Sequence, residues 1–242
     1  MEIIRLDSVK LRKMIMESVR MVIKEEIEDM DKMYMDAVKR RDMKTAMKLV
    51  LTAAKAAMPN TKVVDANGNP KIAYHQTNST IYRNIEDGRS WDELDWKEKS
   101  EWDDRDDWED YWKEKDFYEF NRVNARTTVE LDGFFFSPEY DEYHGYGKRT
   151  IAAFLDIKNP ATKDNYNVDA SITDSGKNER IRMQSEGYDG VIYDEDGKIV
   201  EYIAFEPNQI KSAEPVTYDD QGNVIPLSKR FDFNNNDIRY EE

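Results

Sequence analysis

Few residues in this sequence combine a reactive type with a constrained setting. His75 closes the apolar run Ile72-Ala73-Tyr74 and is followed by Gln76-Thr77. Gly133-Phe134-Phe135-Phe136-Ser137 stops at Pro138, with Tyr143 and Tyr146 just beyond. Glu201 lies inside Ile199-Val200-Glu201-Tyr202-Ile203-Ala204-Phe205. Strand alternation puts it on one face with Ile199, Ile203 and Phe205. A carboxylate on an apolar strand face is expensive to desolvate, so it needs a reason to be there. Taken singly, each feature is ordinary. A His after a strand is usually structural, an aromatic triplet is usually core, and a strand Glu usually faces water.

The rest of the chain excludes several chemistries. There is no cysteine, so disulfides, thiolate metal sites, iron–sulfur clusters and a Cys nucleophile are ruled out. The two histidines, His75 and His144, are too few for a His-rich metal centre, and no metal is expected. No phosphate-binding glycine loop, His-Glu-x-x-His or Gly-x-Ser-x-Gly is present. The acidic run Asp103-Asp104-Arg105-Asp106-Asp107 lacks the glycine and terminal glutamate of a calcium loop, and reads as a solvated face.

The elements that would carry these residues follow from periodicity. Apolar residues recur at helical spacing from Leu11 to Met30, after a cap at Asp7 or Ser8. A shorter helix carries Met33, Ala37 and Val38, and Asp42 caps a third that ends at Pro59-Asn60. Residues 1–60 therefore read as a helical region. At Thr61 the period changes, and residues 61–242 read as short strands, turns and helical stretches. Val63-Val64 and Ile72-Ala73-Tyr74 flank Asn67-Gly68 as a hairpin. Thr150 to Ile157 reads as a buried strand, 161–180 as loop and Ile181 to Gly187 as a helical turn. Glu139 to Gly147 reads as a short helix. The clearest hairpin joins Val191-Ile192-Tyr193 to the Glu201 strand through Asp194-Glu195-Asp196-Gly197.

Residues 86–119 form an inserted segment of another kind. It holds sixteen acidic and six basic residues, a net of −10 within a chain total of −15, and all five tryptophans. On a helical wheel Trp91, Leu94, Trp102, Trp108 and Trp112 fall in an arc of roughly 120°, with Trp96 outside it. Packed amphipathic helices account for this pattern. A binding arm for a basic partner accounts for it as well. The overall acidity disfavours nucleic acid as the main partner. No stretch is long and apolar enough for a membrane, and no basic head precedes an apolar run, so a cytoplasmic setting is expected.

The order of the three motifs resembles the ADP-ribosyltransferases, in the branch related to diphtheria toxin and the poly-ADP-ribose polymerases. Tyr74-His75-Gln76-Thr77, Gly133 to Ser137 and Glu201-Tyr202-Ile203-Ala204-Phe205 are similar to its three triad strands. The nearest likeness is to the ADP-ribosyltransferase-like domains of phage and mobile-element polyvalent proteins. They carry strings similar to Val63-Val64-Asp65-Ala66-Asn67-Gly68, Ile157-Lys158-Asn159-Pro160, Tyr188-Asp189-Gly190-Val191-Ile192, Pro207 to Ser212 and Asn236 to Tyr240. The resemblance covers about residues 34 to 242.

This resemblance implies that residues 61–242 form one α+β domain, two small antiparallel sheets around an NAD cleft, beside an N-terminal helical segment. It implies NAD as the ADP-ribose donor, with Glu201 and His75 as catalytic residues. His75, Gln76, Thr77, Gly133, Phe135, Ser137, Tyr143 and Tyr146 would bind the dinucleotide. Nicotinamide is already a cationic leaving group, so one carboxylate that stabilises an oxocarbenium-like ribose is enough. Two aromatic faces, Tyr146 and Phe135, suit the pyridinium. Phe135 replaces a tyrosine of the triad, and Gln76 replaces a glycine. Ile199 lies two before Glu201, so the Glu-x-Glu pattern of arginine-specific relatives is missing. The expected activity is mono-ADP-ribosyl transfer to a host macromolecule, first of all a protein, in a bacterium or in a phage-delivered effector. NAD glycohydrolysis would use the same residues. A binding module that has lost turnover and works through its acidic Trp segment is the non-enzymatic alternative.

Overall fold

The computed structural model describes residues 28–77, 91, 94–102, 104–105, 108, 131–140, 149–165, 175–219 and 221–239. The first expected helix lies mostly outside them. Helix α1 covers residues 28–39 and α2 covers Met43–Ala57. Asp42 caps α2 as expected: its carboxylate accepts from the Thr45 backbone N–H at 3.0 Å and from the Thr45 hydroxyl at 2.7 Å. Ala46, Val50 and Ala54 on α2 join Tyr34 and Ala37 on α1 in one cluster with Phe154, Ala213 and Leu227. The helices therefore bury their apolar stripes on a sheet and not only on each other.

The sheets contain seven strands: β1 (Ala73–Thr77), β2 (Phe134–Phe136), β3 (Arg149–Leu155), β4 (Pro160–Ala161), β5 (Gly190–Glu195), β6 (Lys198–Ala204) and β7 (Ile210–Ser212). The first sheet has the order β1-β3-β7 and is antiparallel, and the second has the order β2-β6-β5-β4. The fold is α+β with two small sheets, as expected, but the second sheet is mixed. β4 runs parallel to β5 (Pro160 opposite Gly190), because the chain between them returns through helix α4 (Ser175–Ser185).

Strand alternation sorts the core into layers. Ala73, Ile151, Ala153, Leu155 and Ile210 of the first sheet meet Phe134, Phe136, Tyr202 and Ala204 of the second. The other face of the second sheet packs Ile203, Phe205 and Val191 on Met183 of α4 and on Leu131. The order is helices α1 and α2, first sheet, second sheet, then α4.

Several expectations need correction. The hairpin around Asn67-Gly68 is a tight loop closed by a single bridge between Val64 and Pro70, and β1 pairs with β3 instead. The Asp65 carboxylate explains the loop: it accepts from the backbone N–H groups of Asn67 and Asn69 at 2.8 and 2.9 Å. Helix α4 begins six residues before the expected turn at Ile181. Its inward face is Gly176, Arg180 and Met183, which carries no apolar periodicity to read. Glu139 and Tyr140 are not helical, and the rest of that expected helix lies outside the described residues.

The β5–β6 hairpin turns within the expected stretch, but only at Asp196-Gly197, since Asp194 and Glu195 continue β5 and pair with Ile199 and Lys198. Asp196 and Gly197 both have positive φ, 53° and 82°, as a two-residue type I′ turn requires. The register then shifts between Tyr193 and Asp194, so that Val200 is an extra residue on β6. That bulge moves Ile199 to the inter-sheet cluster, away from Ile203 and Phe205, so the four residues expected on one face are split.

In the inserted segment, Leu94 and Trp108 are buried, with Trp91 and Trp102 packed against them. Trp96, the expected outlier, is 82% exposed, while Trp112 lies outside the described residues. No helix among the described residues is long and apolar enough to cross a membrane.

Candidate active site

The three motif strands lie side by side. β1 and β2 join where Tyr74 and Ser137 exchange backbone hydrogen bonds of 2.9 and 2.8 Å. β2 then pairs with β6, Phe136 opposite Tyr202 and Phe135 opposite Ile203. One step past the Phe136–Tyr202 pair come Ser137 on one strand and Glu201 on the other. Alternation places Phe135, Ser137, Ile203 and Glu201 on the same face of the second sheet.

His75 approaches from the inter-sheet side. Its ring packs on Phe136, with centroids 5.3 Å apart. Its Nδ1 lies 2.7 Å from the carbonyl oxygen of Phe135. A carbonyl only accepts, so Nδ1 carries the proton and donates. Desolvation by burial holds the imidazole pKa below its ordinary value, against the smaller opposing effect of that carbonyl. The ring is therefore neutral near pH 7, with its Nε2 lone pair as an acceptor.

Gln76 lies in regular extended strand rather than in the left-handed region, and faces Thr150 of β3. Backbone groups of a strand alternate in direction. Tyr74 turns its N–H and C=O toward β2, so Gln76, two residues on, turns its own the same way. Glutamine in place of glycine leaves that backbone edge intact. Thr77 ends β1 opposite Arg149.

Gly133 has a packing reason to be glycine. A Cβ there would lie 2.5 Å from Ile203 Cγ2 and 3.0 Å from the Ala204 carbonyl oxygen. Gly190 grips Ile203 from the other side, where a Cβ would lie 2.7 Å from its carbonyl oxygen. Ser137 uses its hydroxyl locally, donating to the Glu139 carbonyl oxygen at 2.8 Å. Tyr143 and Tyr146 lie outside the described residues.

One neighbour of Glu201 was not read from the sequence. Counted from the Asp196-Gly197 turn, a regular register would put Val200 opposite Tyr193. The bulge puts Glu201 there instead. Tyr193 thus brings a half-buried phenol beside the carboxylate.

Residues 113–217 match the model of a family described as ADP-ribosyltransferase in polyvalent proteins. These residues form an ADP-ribosyltransferase domain. The matched stretch runs from before β2 to beyond β7, so it includes Gly133 to Ser137 and Glu201. It leaves out β1 and His75, which the structure attaches to the transferase domain through β3 and the Tyr74–Ser137 bridge. No curated protein and no solved structure matches the chain. The activity class is thus ADP-ribosyl transfer, and NAD is the donor of such domains.

Proposed function

We propose that the protein is a mono-ADP-ribosyltransferase that cleaves the nicotinamide–ribose bond of NAD and passes ADP-ribose to a protein acceptor. The observation that carries this reading is the 2.7 Å link from His75 to the Phe135 backbone, on the strand that borders Glu201. It locks the first motif to the second beside the third.

In this reading each site residue has a role, which for the described residues agrees with their setting. The Nε2 lone pair of His75 accepts a hydrogen bond from a ribose hydroxyl. The outward N–H and C=O of Gln76 hold the nicotinamide carboxamide. Phe135 lends its ring to the pyridinium, and Tyr146 takes the opposite face. Glu201 accepts from the ribose 2′-hydroxyl and stabilises the positive charge that grows on the sugar. As the C1′–N bond breaks, its electron pair leaves with nicotinamide, which departs neutral. The acceptor nucleophile then bonds to C1′ and gives up its proton. The acceptor is a basic protein, in keeping with a chain of net charge −15. The helical region 1–60 precedes the catalytic domain 61–242, in which the Trp segment 86–119 is an insertion.

Nicotinamide release from NAD, with and without bacterial lysate, tests the proposal beside Glu201→Gln. Release that needs both lysate and Glu201 supports transfer. Release from NAD alone means a glycohydrolase, and undiminished release by Glu201→Gln would sink the mechanism.

A further inference from the structure

A recess lies on the first sheet, away from the β1–β2 junction. Its volume is about 270 Å³, and its floor is Ile151, Val216 and Ile238. It forms because β7 covers only part of β3. The pairing of the two strands begins at Ala153, and Ala213 makes one more backbone bond, to Ala152, before the chain turns away. The C-terminal segment closes the recess, with Ile238 accepting from the Ser212 N–H at 2.8 Å.

The polar groups around this floor are not those of a collapsed core. Thr217, only 6% exposed, has a buried hydroxyl with no hydrogen-bond partner among the described residues. Tyr218 is 51% exposed and lends an aromatic ring to the rim. Glu214 is exposed there and makes no ion pair among the described residues. Arg239 is the cation on the rim, and the Asp237 carboxylate neutralises it at 2.8 Å. Behind the wall, Arg230 is buried and spends one N–H on the Glu214 carbonyl at 2.6 Å. Asp219 lies beyond the rim, its carboxylate held by the Asn223 side chain and by backbone N–H groups. Three carboxylates and two guanidinium groups leave the recess with an excess of one negative charge.

We infer that this recess receives a lysine or arginine side chain of a basic partner polypeptide. The methylene stem would lie on Ile151, Val216 and Ile238, an apolar surface of the kind such stems cover. The cationic head would meet the Glu214 carboxylate and the Tyr218 ring. The Thr217 hydroxyl would accept one of its protons and so gain the partner it lacks. The inference names the partner's chemistry. It rests on the transferase reading for its purpose and not for its existence.

The test is calorimetric titration of the full chain with a lysine-rich decapeptide, against a glutamate-substituted decapeptide. The lysine peptide is expected to bind, and more weakly as salt rises. Glu214→Gln is expected to weaken it about fivefold to tenfold, while a remote control, Glu195→Gln, leaves it unchanged. Val216→Trp fills the recess and is expected to abolish binding, with circular dichroism as the check on folding. Thr217→Val keeps the volume and removes the hydroxyl, so weaker binding there does not depend on Val216→Trp folding. Equal affinity for wild type, Glu214→Gln and Thr217→Val would overturn the inference and leave diffuse charge as the cause. Nicotinamide release by the wild type without peptide is scored separately. Its absence with binding intact would remove the transferase reading alone.

Discussion

His75 and Phe135 are joined side chain to main chain, imidazole Nδ1 to carbonyl oxygen, at 2.7 Å. A backbone acceptor cannot be mutated away, so the tautomer of His75 is set by the fold itself. Phe135 supplies that carbonyl whatever its side chain, so the absence of the triad tyrosine hydroxyl leaves this link untouched.

The first prediction follows from the depressed imidazole pKa. Desolvation moves it down from 6.5, so the folded protein keeps a neutral ring to lower pH than the unfolded chain does. Stability from this group is therefore full above the unfolded value of 6.5 and is lost as pH falls below it. Nicotinamide release is expected to be level above pH 7 and to fall only on the acid side. His75→Gln is expected to lower kcat by about 100-fold. Its stability gap to wild type, read by urea unfolding, should narrow between pH 7.5 and 5.5. A gap that widens toward acid would mean the ring is charged in the fold.

A second prediction separates two glycines that grip one residue. Gly133→Ala meets a methyl of Ile203, whereas Gly190→Ala meets the Ile203 carbonyl oxygen. Each is expected to destabilise by about 1–3 kcal/mol. Ile203→Leu removes the branch methyl, so it should relieve Gly133→Ala by part of that amount. It should not relieve Gly190→Ala, because a backbone oxygen cannot be trimmed. A double-mutant cycle on thermal unfolding reads the difference.

Much of this was legible in the residues. Asp42 announced a cap, Asp194-Glu195-Asp196-Gly197 announced a hairpin turn, and the apolar run of β3 announced a buried strand. What was not legible has physical causes. The Val200 bulge has no glycine or proline to mark it, yet it decides that Glu201 faces Tyr193 and that Ile199 changes sides. Helix α4 hides because an arginine fills its buried face. Asn67-Gly68 misled because its neighbours serve an Asp-centred loop. The same loop recurs at Asp219-Asp220-Gln221-Gly222-Asn223, where the carboxylate again accepts from the residues two and four ahead. That spacing of Asp, Gly and Asn, present twice in the sequence, was the available signal. At the candidate site, the order of the motifs was readable but their contacts were not. The pairing of Tyr74 with Ser137 and the link from His75 to the Phe135 carbonyl bring β1 against β2.

A third prediction concerns Lys211, which is fully buried on β7. Its ammonium donates to the carbonyls of Asn235 and Asp237 at 2.8 and 3.0 Å and so pins the C-terminal segment. Burial lowers its pKa from 10.5 to about 8, against the opposing pull of Asp232 and Asp237. Between those values the unfolded chain binds the extra proton, so stability from this group rises with pH through that window. Relative to Lys211→Met, the wild type should gain up to roughly 3 kcal/mol between pH 7.5 and 10.5. Paired denaturant curves at the two pH values measure it, and a gap independent of pH would show that the lysine titrates normally.

The fourth prediction tests how α4 holds the site strands. Arg180 is 1% exposed and pairs with Asp132, before β2, at 3.2 Å and with Glu206, after β6, at 2.7 Å. Its guanidinium also lies 5.6 Å from the Phe205 ring centre. One side chain thus ties α4 to the flanks of both the Phe135 strand and the Glu201 strand. Removing it leaves two carboxylates without their shared cation. Glu206 is 41% exposed and also accepts from Gln184 at 2.9 Å, so water and that amide offset part of the loss. Arg180→Ala is expected to destabilise by about 2–4 kcal/mol. Arg180→Met, which keeps the apolar stem over Phe205, should lose less. Adding Asp132→Asn to Arg180→Met should recover stability, because it removes a carboxylate that has lost its guanidinium partner. If the double variant is no more stable than Arg180→Met, the arginine acts by packing on Phe205 and not by pairing.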